Sequence, residues 1–159
     1  MSDDEQTPPA EERAQGLLAR ISNEMVGAQK RFFGKGPTEA KSYILDDLLI
    51  IVMRDGLTTA EKTMLDFGQP DQVRQFRQLF ENEMTERLTD MIEELTGRKV
   101  LTYQSQVMFD PDVIVEMFVF DSPAARDARE ATAEGQLADD DTGEVTDEEA
   151  LEEAASGGA

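Results

Sequence analysis

Cysteine, histidine and tryptophan are all missing from this chain of 159 residues. Without cysteine there is no disulfide framework and no nucleophilic thiol; with histidine gone as well, a zinc site of the Cys/His type is excluded. No triad or general base can be built on an imidazole. Basic residues are scarce, 15 against 35 acids, for a net charge of −20. That balance is wrong for a nucleic-acid binder, which needs cations to displace counterions from phosphates. Long apolar runs are lacking too. The longest, Leu48–Met53, falls far short of the roughly 20 residues that cross a membrane. The N-terminus is acidic and has no apolar signal core. The expectation is one cytoplasmic, soluble protein with no direct membrane insertion.

The acid is unevenly placed. Residues 1–12 carry −5, residues 13–120 carry −4 and residues 121–159 carry −11. A salt-adapted protein would spread acid over its folded surface, whereas this chain concentrates it at both ends. The low lysine count, five against ten arginines, keeps the salt-adapted reading open. The ends are also poor in large apolar residues and cannot offset chain entropy by burial. Residues 1–12 and 121–159 are therefore expected to be disordered acidic tails, with helix at most over Pro123–Glu134 or Asp147–Ala155. Such a tail either keeps the protein soluble or docks a basic partner.

The balanced middle has clear periodicity. Leu17, Leu18, Ile21, Met25, Ala28 and Phe32 recur at helical spacing and predict a helix over 12–33, stopped by Gly34, Gly36 and Pro37. Residues 41–54 read as one central strand, bent or bulged at Asp46-Asp47 and ended by Asp55-Gly56. Thr58-x-x-Glu61 is a capping box opening a short helix to Phe67, with Gly68 behind it. Pro70 opens and Gly97 closes a long helix whose apolar stripe is Val73, Phe76, Phe80, Met84, Leu88, Met91, Ile92 and Leu95. Val100–Phe109 and Val113–Phe120 form a hairpin about Asp110-Pro111-Asp112. The order α-β-α-α-β-β predicts an α+β two-layer sandwich, with a small three-stranded sheet, mixed or antiparallel, and helices on one face. Phe32, Phe33, Phe76 and Phe80 exceed what so small a sheet covers, so a homodimer is expected.

Several residues invite a chemical reading beside a structural one. Gly34-Lys35-Gly36 can cradle an anion, yet it follows a helix, the reverse of a phosphate loop, and serves equally as a helix stop. Arg98 and Lys99 complement the dipole at the end of the long helix, and with Lys35 they could form one basic patch. Asp46 and Asp47 could bind a hard cation with Asp55, Asp110, Asp112 or Glu116, although neighbours in a strand point to opposite faces. Glu116 interrupts the apolar run VIVEMFVF. If buried it needs a partner, and Arg74 or Arg77 is the expected one. The methionines fall at core spacing.

In order and spacing, these blocks resemble the MpsC family over roughly residues 14–120. The carrying features are Gly34-Lys35-Gly36-Pro37, the stretch YILDDLLIIVMR with Asp46 and Asp47, and Leu57-Thr58 with Glu61. They continue with Val73-Arg74 and Arg77, Thr96-Gly97-Arg98-Lys99-Val100, and Asp110-Pro111-Asp112 with Glu116-x-Phe118. The resemblance implies the soluble member of a Na+-translocating, membrane-potential-generating system whose other components are linked to cation flux and inorganic-carbon uptake. It supplies no catalytic residues and no cofactor. The resulting expectation is a non-enzymatic accessory or regulatory protein. It would meet a membrane transport complex or a small anion through Gly34, Lys35, Gly36, Arg98 and Lys99. The alternatives are a dimeric ligand-binding or interaction module unconnected with membranes, and an enzyme using carboxylates and a divalent cation.

Overall fold

A computed structural model describes residues 8–140, with side chains described through residue 132. Helix α1 (Ala10–Phe33) leads into the hairpin β1 (Glu39–Leu45) and β2 (Leu48–Arg54). Helices α2 (Thr59–Asp66) and α3 (Pro70–Thr96) follow, then the hairpin β3 (Val100–Met108) and β4 (Val113–Phe120). The four strands form one antiparallel sheet in the order β1-β2-β4-β3. The fold is α+β, as expected, but the order is α-β-β-α-α-β-β.

The extra strand is a correction to the single strand expected over 41–54. Asp46 and Asp47 are neither bend nor bulge; they are the whole connection of a hairpin in which Leu45 pairs with Leu48. Asp46 takes φ +55°, a left-handed conformation that aspartate tolerates better than most side chains. With this strand, β2 and β4 become the two central strands.

Alternation sorts the sheet into two faces. Leu49, Ile51 and Met53 of β2 and Ile114, Glu116, Phe118 and Phe120 of β4 are all buried. In register with them across the sheet lie Ser42 of β1 and Tyr103, Ser105 and Val107 of β3. Helix α1 covers this face over β1, and α3 covers it over β3. Helix α1 buries Ile21, Met25, Ala28 and also Gln29 and Ser22, whose hydroxyl meets that of Ser42 at 2.7 Å. Helix α3 buries Val73, Leu88 and Ile92. Phe76, expected in that stripe, is 44% exposed, and its neighbour Arg77 is buried instead.

The helix ends match their sequence signals. Gly34 and Gly97 close α1 and α3 with φ near +77° and +67°, a backbone region glycine enters freely. The capping box at Thr58 is complete, with Thr58 Oγ1 accepting from the Glu61 amide and Glu61 accepting from the Thr58 amide. The chain divides into two units after Ser122. In the second, the alanine-rich stretch Pro123–Asp140 forms helix α4, longer than the helix expected there. The expected helix over Asp147–Ala155 lies outside the described residues. So does the N-terminal tail up to residue 7; its residues 10–12 belong to α1.

Candidate functional site

Glu116 stands at the centre of the covered sheet face, paired with Ile51 on one side and Ser105 on the other. It is 1% exposed. Two donors hold it: the Tyr103 hydroxyl at 2.6 Å and the Gln29 amide at 3.1 Å. Neither is a cation. Burial therefore dominates and pushes its carboxyl up to about 7. Burial, reinforced by the Glu116 charge, pushes the Tyr103 phenol far up as well, so it remains a donor.

Arg77 does not pair with Glu116, contrary to the sequence expectation. Its fork grips Glu61 instead, Nε at 2.5 Å and Nη2 at 2.7 Å, and Nη2 also reaches the Gly56 carbonyl at 3.1 Å. Burial alone would raise Glu61, but the bonds from Arg77 and Thr58 outweigh it and hold the carboxyl below its usual value. Arg77 touches Glu116 only through Gln29, whose carbonyl accepts from Nη1 at 3.4 Å. Arg74 is exposed; it pairs with Asp71 and lies over the Phe109 ring. Phe118 stacks on Tyr103 with centroids 4.6 Å apart.

Beside this network a cavity of about 170 Å³ opens between α1, α3 and the β3–β4 hairpin. Phe32, Phe33 and Phe80 form its apolar wall, and Glu116, Tyr103 and Ser105 its floor. Glu81 lines the side; it accepts from the Ser105 amide at 2.9 Å, and burial raises its carboxyl. The cavity thus joins aromatic surface to two carboxylates set about one serine. It can bind a molecule and can hold or release a proton at Glu116.

The loops singled out in the sequence lie elsewhere. Lys35 bonds the Asp55 carboxylate at 3.2 Å and the Leu57 carbonyl at 3.0 Å. Arg98 donates to the Asp46 carbonyl and covers the Phe120 ring, while Lys99 pairs with Glu93. These are the two ends of β2, whose seven residues span roughly 20 Å. Lys35 therefore does not join Arg98 and Lys99 in one basic patch. Gly36 packs against Val26 and Lys30, and Pro37 is buried behind it.

The aspartates are similarly scattered. Asp47 accepts from Ser122, and the Asp112 carboxylate accepts from the Gly56 and Leu57 amides at 3.3 and 3.2 Å. Asp110 and Pro111, joined by a cis peptide bond, form the turn before Asp112. Among the described residues no three acidic side chains come together as a metal site would require. Sequence reasoning missed Gln29, Glu81, Tyr103 and Ser105. Only Gln29 carried a signal, a polar residue four positions after Met25 on the buried stripe of α1.

Fold and site together define a small two-layer α+β domain with a carboxylate-floored cavity between its helices and sheet. The chain belongs to the MpsC family, described as a Na+-translocating membrane potential-generating system, which matches residues 14–122. That match spans nearly all of the first unit, from α1 to the end of β4. No curated protein and no solved structure matches the chain. Among the described residues no helix is long and apolar enough to cross a membrane.

Proposed function

We propose that this chain is a non-enzymatic accessory or regulatory protein of a Na+-translocating, membrane-potential-generating system, cytoplasmic and homodimeric. The observation that carries the reading is the family match over residues 14–122. Two features of the site support it. The buried network of Glu116, Tyr103 and Gln29 borders a cavity between α1, α3 and the β3–β4 hairpin, an arrangement suited to holding a ligand. Exposed Phe67, just past the end of α2, and Phe76 and Leu79 of α3 supply apolar surface for a protein partner.

The test is affinity capture of the full chain from detergent-solubilised native membranes and cytosol together, with crosslinking and mass spectrometry. Recovery of an integral membrane cation-transport protein crosslinked to this chain is the expected result. Soluble partners alone, or the chain alone, would overturn the reading. Lys35→Ala and Arg98→Ala enter as separate variants, because they mark opposite ends of the domain. The second reading, a ligand-binding module independent of membranes, is favoured by the cavity itself and predicts ligand binding without membrane recovery.

A further inference from the structure

We propose that the cavity beneath α1 and α3 binds a small organic cation: a protonated amine on an apolar body one ring in size, its ammonium set between Glu81 and Glu116.

Charge accounting around the cavity points to this ligand class. From α3, Arg77 faces the cavity, but Glu61 of α2 takes its fork, and Arg74 at the mouth is paired with Asp71. The neutral polar groups facing the cavity are Gln29 of α1, Gln78 of α3, and Tyr103, Ser105 and Gln106 of β3. The charges left over are Glu81 of α3 and Glu116 of β4. Both carboxyls are raised by burial, as expected of carboxylates short of a cation. Both adjoin Ser105, whose amide donates to Glu81 and which lies opposite Glu116 in the β3–β4 register.

The wall has the matching character. Phe33 and Phe80 lie 4.8 Å apart, and Arg77 already sits 3.9 Å over the Phe33 ring, so a cation is accommodated against these rings. The volume of about 170 Å³ limits the guest. A cavity of about 150 Å³ takes one benzene ring. A carboxylate guest would instead meet two like charges with no free cation among the groups named above.

The proposal stands apart from the membrane-system reading, since amine binding is measured on the purified full chain. The probes are benzylamine, benzyl alcohol and benzoate, of one shape but cationic, neutral and anionic. Calorimetric titration at about pH 7.5 is expected to show benzylamine binding at least about tenfold more tightly than benzyl alcohol, and benzoate not at all, since a bond to a charged group contributes more than a neutral one. Glu81→Gln is expected to weaken benzylamine about tenfold and leave benzyl alcohol unchanged. Glu116→Gln is expected to do the same. Should that buried variant fail to fold, proton release by the native chain replaces it. At about pH 6, benzylamine binding expels the Glu116 proton, and the apparent enthalpy changes with the ionisation enthalpy of the buffer. The proposal is overturned if benzylamine binds no better than benzyl alcohol, if benzoate binds best, if none of the three binds, or if Glu81→Gln changes nothing.

Discussion

Replacing Glu116 with glutamine should change how stability depends on pH more than it changes stability at any one pH. The folded state raises this carboxyl from its ordinary 4.5 to about 7. Between those values the native chain keeps a proton that the unfolded chain has lost. The stability this group supplies is complete below about pH 4.5 and disappears as pH rises through about 7. A pKa difference of about 2.5 corresponds to about 3 kcal/mol. A glutamine in its place keeps the shape, stays neutral and can still accept from Tyr103 and bond Gln29, so it escapes that loss. Urea unfolding of both chains should show the variant gaining about 2–3 kcal/mol on the native chain between about pH 5 and pH 8, or about 10 °C in melting temperature. Glu61, lowered by Arg77, is present in both chains and cancels in the comparison, whereas Glu81, whose charge contributes to raising Glu116, responds to the substitution and belongs to the same effect. Parallel pH profiles would refute the reasoning: they would mean that Glu116 has the same proton affinity folded and unfolded.

Three further outcomes are expected. Arg77→Met leaves Glu61, 3% exposed, without its cation and should cost about 3–5 kcal/mol in chemical denaturation; a loss under about 1 kcal/mol would contradict the buried pair. Asp112→Ala strips two backbone amides, Gly56 and Leu57, of their acceptor and should cost about 1–3 kcal/mol, read from the urea midpoint at unchanged slope. Light scattering on the full chain at micromolar concentration should give about twice 17.7 kDa, and a monomer mass would end the dimer proposal.

The helical half of the fold was legible because its boundaries rest on local chemistry. Pro70 removes an amide that would go unpaired at the start of α3, while Gly97 behind it and the capping box at Thr58 satisfy backbone groups within a few residues. The first hairpin was not legible. A two-residue connection is normally announced by glycine or asparagine, and Asp46-Asp47 carries neither. Both faces of β2 are apolar, so alternation could not reveal a strand before it. The site was hidden for a different reason. Charge logic assigns an arginine to a buried glutamate, and Arg77 was available in the sequence. Arg77 had a nearer claimant in Glu61, sixteen positions away and already placed by the capping box. What remained for Glu116 was a phenol and an amide, the latter from a helix 87 residues earlier.

That competition sorts the charged groups of the domain into two sets. Asp112 ties the Asp55-Gly56 turn to the β3–β4 turn through the Gly56 and Leu57 amides. Glu61 and Arg77 fasten α2 to α3 and, through the Gly56 carbonyl, to the same turn. Lys35 adds the loop after α1 by way of Asp55 and Leu57. These groups are spent on joining connections at one end of the sheet, where each charge or amide has found its complement. Glu116 lies beyond that lattice, linked to it only by Gln29 between Arg77 and the carboxylate. A buried carboxyl without a cation costs stability near neutral pH, and replacing it with an apolar residue would remove that cost. Here it faces a cavity with a second uncompensated carboxylate, Glu81, on the adjoining wall. A cation entering the cavity would supply the charge that the fold withholds from Glu81 and Glu116.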